Sequence, residues 1–176
     1  IWALWEHYRR FRDIEFISPL YRPLIKNGAN FLMNYRDLTT GLPLASYDLW
    51  EERQEVLTFT VAAVYGGLMA AAHFVEAFGE HELAGDYRAG AATLREAAIR
   101  HLFLPETQCF ARGAVFPSDG GAPVLDRTVD ASACGVFAFG MLPADDSRVQ
   151  STLKHLHAKL WCQTEVGGLA RDDNDP

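Results

Sequence analysis

The sequence predicts an all-α fold of helical hairpins, in which buried and half-exposed helices alternate, with one short β-hairpin-like insertion. Three observations predict it. Apolar residues recur at spacings of three and four over much of the chain, the period of a helix face. Residues 56–75 carry no acid or base except His73, and a helix that is apolar all round is buried all round. Over residues 83–102 the apolar stripe narrows to one side, with Asp86, Arg88, Arg95, Glu96 and Arg100 on the other, so this helix meets water. Two concentric helix layers produce such an alternation. A solenoid of helix pairs also produces it, although no fixed-period repeat is present. A four-helix bundle fits less well, because all of its helices are amphipathic.

Residues 1–11 read as the end of a helix. Pro19 and Pro23 sit where a helix starts, and Leu20, Leu24, Gly28, Phe31, Leu32 and Tyr35 then extend one face to about Leu38. Residues 39–44 are turn-rich. The buried helix is expected over residues 52–78, with small residues (Ala62, Ala63, Gly66, Gly67, Ala70, Ala71, Ala72) that let neighbours approach closely and Gly79 just past its end. The half-exposed helix spans about 82–103. Residues 104–127 lose the helical period: CFARGAVF alternates like a hairpin strand, and PSDGGAP is turn chemistry. An all-apolar helix is expected over 130–139, an amphipathic one over 145–160, and a loop over 165–176.

The 176 residues are enough for one domain with a core. With 49% apolar and 22% charged residues, the mix is that of a globular domain. Net charge is −7 and no basic stripe occurs, which argues against a nucleic-acid partner. The uncharged apolar run 61–72 is shorter than the roughly 20 residues of a membrane span, so no membrane partner is expected. Cys109, Cys134 and Cys162 fit neither a disulfide framework nor a zinc pattern. Buried reduced thiols in a cytoplasmic protein are the expectation, since Glu6, His7, Arg9 and Arg10 interrupt any signal-peptide pattern at the start. The chain opens mid-pattern and closes on a loop-like string, which reads as a piece of something longer.

The stretch GLPLASYDLWEERQEVLTFT, residues 41–60, carries the chemistry. Asp48, Trp50, Glu51 and Glu52 lie where the buried helix is expected to open. On spacing alone, helix capping accounts for them: Asp48 as N-cap, Glu51 at N3, and acids complementing the helix dipole. Capping, however, takes one or two acids, not three around a Trp. A carboxyl at the mouth of a buried helix is partly desolvated and holds a proton more readily. Beside an indole platform, that suits protonation of a glycosidic oxygen.

This stretch resembles the signature of the glucoamylase family, the inverting enzymes of glycoside hydrolase family 15: a Gly-Leu-Pro, then Ser-x-Asp-Leu-Trp-Glu-Glu-Arg and a Phe-Thr. HYRRFRDIEFI, DRTVDASACGVFAFGMLPADDSRVQSTL and GGLARDDND are similar to further family segments, in the same order. The resemblance implies that residues 1–176 are the central portion of a single (α/α)6 toroid, the two-layer arrangement, with N- and C-terminal parts of the catalytic domain outside them. It implies Glu51 as general acid, Asp48, Trp50 and Glu52 around the first sugars, Arg171 as a substrate-contacting arginine, and Tyr47 beside them. It also implies hydrolysis of α-glucosidic bonds at the non-reducing ends of oligo- or polysaccharides, with inversion, releasing β-D-glucose, and no cofactor or metal. The family's general base is a Glu beyond these residues, so the chain alone is expected to be inactive. Two departures stand out. Gln54-Glu55-Val56-Leu57 replaces a Gly and a His, and Asp172 stands where an aromatic is usual. The alternative is a non-catalytic carbohydrate-binding or regulatory relative of the same fold.

Other candidates carry less. His73 alone on the buried helix reads as a core histidine. His155 and His157 lack the spacing of a metal pair. The acidic run 172–175 lacks the Gly and terminal Glu of a calcium loop. GEHELAGDYRAG has glycines but follows no strand, against a dinucleotide site. Trp2 and Trp5 read as core.

Overall fold

A computed structural model describes residues 1–117 and 119–174; Ser118 of the expected turn, and Asp175 and Pro176 of the expected loop, lie outside them. Helix α1 (Trp2–Phe11) ends where Arg12 turns left-handed, φ 56°. Asp13 caps α2 (Ile14–Leu20), its carboxylate accepting the Phe16 N–H at 3.0 Å. From α2 the chain passes through a π-helical stretch, Tyr21–Lys26, into α3 (Asn27–Asn34). The helix therefore starts at the Asp13 cap, not at the prolines. Pro19 and Pro23 lie inside the path; a proline lacks the N–H and crowds the carbonyl four residues back, and the widened turn takes up that mismatch. The path stops at Asn34 rather than near Leu38, because the Asp37 carboxylate accepts the N–H groups of Thr39 and Thr40 and so closes a turn.

The largest correction falls on residues 46–57. Strands β1 (Ser46–Tyr47) and β2 (Gln54–Leu57) form an antiparallel hairpin, and helix α4 begins only at Thr58, running to Ala77. Gln54 and Glu55 pair with β1, and the strand then continues onto β5 (Gly113–Val115), where Val56 faces Ala114 and Leu57 faces Gly113. This long-range ladder outcompetes the local capping signal. The first turn of α4 is anchored to the same region. The Thr58 N–H donates to the Arg112 carbonyl at 2.9 Å, and the Thr58 hydroxyl to that of Ala111 at 2.6 Å.

Helix α4 is the centre of the molecule. Residues 61–75 are buried or half-buried without exception, whereas α5 (His81–Leu102) leaves Asp86, Glu96 and Arg100 in water, as its one-sided stripe predicts. The two form a hairpin through Gly79, at φ 85°. By length and composition α4 is apolar enough to cross a bilayer, but its surface is taken up by α1, α3, α5 and a short helix α6 (Gly135–Ala138). His73 stacks on Trp5 at 4.8 Å and Trp2 meets Phe139 edge-on at 5.2 Å, so all three serve packing. The three cysteines are free thiols, and burial pushes Cys109 and Cys134 up, away from reactivity.

Residues 103–126 hold two hairpins where one was expected: β3 (Phe103–Leu104) with β4 (Cys109–Phe110), and β5 with β6 (Val124–Asp126). Through β2, the second joins a four-stranded antiparallel sheet of order β1-β2-β5-β6. Residues 130–139 are a single 3-10 turn, Ala131–Cys134, followed by α6, and Phe137 is 47% exposed, so this segment is not buried all round. Helix α7 (Ser147–Leu160), capped by Asp146, closes the helical part.

Two predictions follow from packing and burial. A Cβ on Gly66 of α4 would meet the Phe139 Cβ at 3.0 Å and its carbonyl oxygen at 3.1 Å, whereas one on Gly85 of α5 meets nothing within 4 Å. Gly66→Val should therefore lower stability by about 1–3 kcal/mol, and Gly85→Ala should raise it by roughly 0.5–1 kcal/mol, both read from urea midpoints. Glu55 on β2 is 8% exposed, with its carboxylate over Gly113, the cross-strand partner of Asp126. Burial first, and then the Asp126 charge, push its pKa up. With the folded value above the unfolded one, stability is lost as pH rises from roughly 4.3 through the raised value. Glu55→Gln escapes this loss, so its stability advantage over the parent should widen from about pH 4 to about pH 7. An advantage that stays flat would contradict the assignment.

Candidate active site

The hairpin β1–β2 carries a tip, residues 48–53, that is held by one side chain. The Asp48 carboxylate accepts the N–H groups of Glu52 at 2.8 Å and Arg53 at 3.4 Å, while its backbone N–H donates to the Arg53 carbonyl at 2.9 Å. Asp48 thus caps a strand turn, not a helix. Glu51 takes the left-handed conformation, φ 58°, one of three non-glycine residues to do so among the described residues. That conformation costs an L-residue roughly 1–2 kcal/mol. The tip displays its side chains: Glu51 and Glu52 are exposed, and Trp50 is 52% exposed. The expectation that Glu51 is desolvated at a buried helix mouth is therefore corrected. Its setting is an open rim.

Arg171 comes to this rim from the far end of the chain. Its Nη1 lies 3.3 Å from Glu52 Oε1, across 119 residues of sequence, and its guanidinium sits 5.3 Å from the Trp50 ring centroid. Trp50, Glu52 and Arg171 so form one surface. Asp48, Leu49 and Trp50 line a narrow cleft with Leu57 at the end of β2, Phe59 and Thr60 from the start of α4, and with Arg112, Asp130 and Ser132. Tyr47, next to Asp48 on β1, is 60% exposed. It faces Gln54 across the hairpin and is not part of the cleft lining.

Beneath the rim lies a buried ionic cluster that sequence reasoning missed. Arg112 is 6% exposed, and Asp130 and Asp172 are each 4% exposed. Arg112 Nε donates to Asp126 Oδ2 at 2.7 Å, and its Nη1 lies 3.8 Å from Asp130 and 3.6 Å from Asp172. Arg53 reaches Asp126 at 4.0 Å and Arg171 reaches Asp172 at 3.4 Å, so the cluster extends through two further arginines towards the surface. Burial alone pulls the Arg112 pKa down; Asp126, Asp130 and Asp172 outweigh it and the net shift is upward. Burial pushes Asp126 up, but the Thr128 hydrogen bonds and Arg112 hold it below the usual range. One signal was available in the sequence: Arg112 is the lone charge in the apolar run CFARGAVF, and a charge in such a run needs partners.

The family model for glycosyl hydrolases family 15 matches residues 8–166. Over 176 residues the chain is 28% identical to an uncharacterized glycosyl hydrolase of Methanocaldococcus jannaschii, covering 99% of this chain and 26% of that protein. Among solved structures it is similar to a bacterial glucoamylase complexed with acarbose (TM-score 0.70, 21% identity, 89% of this chain and 25% of that one). It is also similar to a rhamnosidase from Klebsiella oxytoca with rhamnose bound (TM-score 0.67, 17% identity, 88% and 28%). The chain thus spans about a quarter of the length of these relatives, and at these identities the solved structures speak for the fold, the (α/α)6 arrangement expected above. With the family model covering most of its length, this chain belongs to glycosyl hydrolases family 15.

Proposed function

We propose that these residues supply the acid-bearing rim of an inverting glycoside hydrolase that cleaves α-glucosidic bonds at non-reducing ends and releases β-D-glucose. The observation that carries the reading is the convergence of Trp50, Glu52 and Arg171 beside Glu51, from sequence positions 119 residues apart. An indole face packs against the apolar face of a sugar ring, and a guanidinium and carboxylates match its hydroxyls. Glu51 projects from the tip on a strained backbone, and such strain in a native fold points to function.

In this reading Glu51 protonates the departing glycosidic oxygen. A carboxylate outside these 176 residues activates water on the opposite face, at the roughly 6.5–9.5 Å separation that inversion needs. Asp48 holds the tip that carries Glu51, and Trp50, Glu52 and Arg171 seat the sugar, with Tyr47 flanking them. A second reading changes the sugar rather than the chemistry: the similarity to a rhamnosidase structure favours testing a deoxyhexose beside glucosides.

In the full-length protein, Glu51→Gln should cut sugar release from maltose by about 10²–10⁴-fold. Glu51→Gly should lose the same activity yet melt no lower than the parent, because glycine adopts a positive φ without penalty. A Glu51→Gln protein of unchanged activity would remove Glu51 from the acid role. Proton NMR of the first product should show β-glucose before mutarotation; α-glucose first would overturn inversion.

A further inference from the structure

Arg112 does not belong to the rim, yet it is joined to it. Its guanidinium reaches three separate segments: Asp126 on β6, Asp130 at the start of the 3-10 turn, and Asp172 in the closing loop. The third contact continues outward. Asp172 Oδ2 lies 3.4 Å from Arg171 Nε, and Arg171 Nη1 lies 3.3 Å from Glu52 Oε1. An unbroken run of opposite charges therefore leads from a buried fork to an exposed surface.

The backbone follows the same route. Asp130 and Asp172 face each other in an antiparallel bridge, the Ala131 N–H donates to the Arg171 carbonyl at 2.8 Å, and the Asp173 N–H donates to that of Val129 at 3.0 Å. Arg112 thus holds both strands of the bridge from beneath, one through each aspartate. A planar fork can serve carboxylates at its two ends at once; an ammonium, a single point charge, cannot.

We propose that Arg112 is a positioning residue that, through Asp172 and Asp130, sets Arg171 against Trp50 and Glu52 and so tunes sugar binding at the rim. The proposal rests on the functional reading given above. Its rival is that Arg112 only holds the fold together, in which case its loss would act on stability and not on Arg171.

The test compares Arg112→Lys, Asp172→Asn, Arg171→Ala and the double variants in the full-length protein. Kinetics are measured on maltose, with thermal melts in parallel. Lysine keeps the buried charge, and Asp172→Asn asks the same question with the Arg112–Asp126 pair intact, so one of the two serves if the other fails to fold. Each should lower kcat/KM about tenfold, mainly through KM, because misplacing a binding group by an ångström is costly. Neither should add to the loss already present in Arg171→Ala. Losses that multiply in the double variants would overturn the proposal, as would unchanged KM in both single variants.

A second readout is independent of turnover. With 5-fluorotryptophan incorporated and the Trp50 fluorine signal identified by Trp50→Phe, Arg112→Lys and Asp172→Asn should move that signal in the direction Arg171→Ala moves it. A signal unmoved by both would overturn the proposal even in an active enzyme. If instead the parent protein releases no sugar, the functional reading fails, and the fluorine signal still decides whether Arg112 positions Arg171.

Discussion

A guanidinium buried among apolar residues has to be neutralised on all sides, and meeting that demand organises the functional half of the molecule. Arg112 lies between β4 and β5, and its carbonyl accepts the Thr58 N–H that opens α4. The three aspartates around it come from a strand, a 3-10 turn and a closing loop, the last two also joined by a backbone bridge. Removing one partner of such a buried pair typically costs about 3–5 kcal/mol, because the remaining charge is left uncompensated. The cluster ties the sheet, the turn and the loop together beneath Arg171.

Helix α4 supplies the complementary constraint. Its residues 61–75 are all buried or half-buried, and its small residues set how closely the neighbours come. Gly66 lies close against Phe139 and Gly67 against Leu32. The hairpin with α5 and the contacts with α1 and α6 therefore fix the axis from which the sheet region projects. The β1–β2 hairpin stands on the N-terminal end of this axis through Thr58 and Leu57. A largely buried helix thus underlies a strained and exposed tip.

That division bears on the acid role proposed for Glu51. Glu51 is exposed among the described residues, so the fold itself leaves its carboxyl open to water. Arg171 already neutralises Glu52, the acid next in sequence, which limits the negative charge around Glu51. The geometry thus separates two neighbouring carboxyls into different roles, one paired and one presented.

Much of the fold was legible in the sequence. The charge-free run 56–75 marked the buried helix, the one-sided stripe 83–102 marked its wet partner, and Gly79 marked the turn between them, because burial and helical period are local patterns. The Trp-Glu-Glu block also marked the surface of the candidate site, and Arg171 was named with it. What the sequence by itself could not determine was the conformation of residues 46–57. Asp48 and Glu51 satisfy a helix cap and a hairpin tip equally well on local grounds, and the choice fell to β5, more than fifty residues away, which offered β2 a ladder. Nor could it determine the role of Arg112, Asp126, Asp130 and Asp172, since a charge is known to be buried only when its surroundings are assembled. Local patterns decide which segments are helical and which are apolar; pairing between distant strands and the neutralisation of buried charge are properties of the assembled chain, and those were decided by the tertiary structure alone.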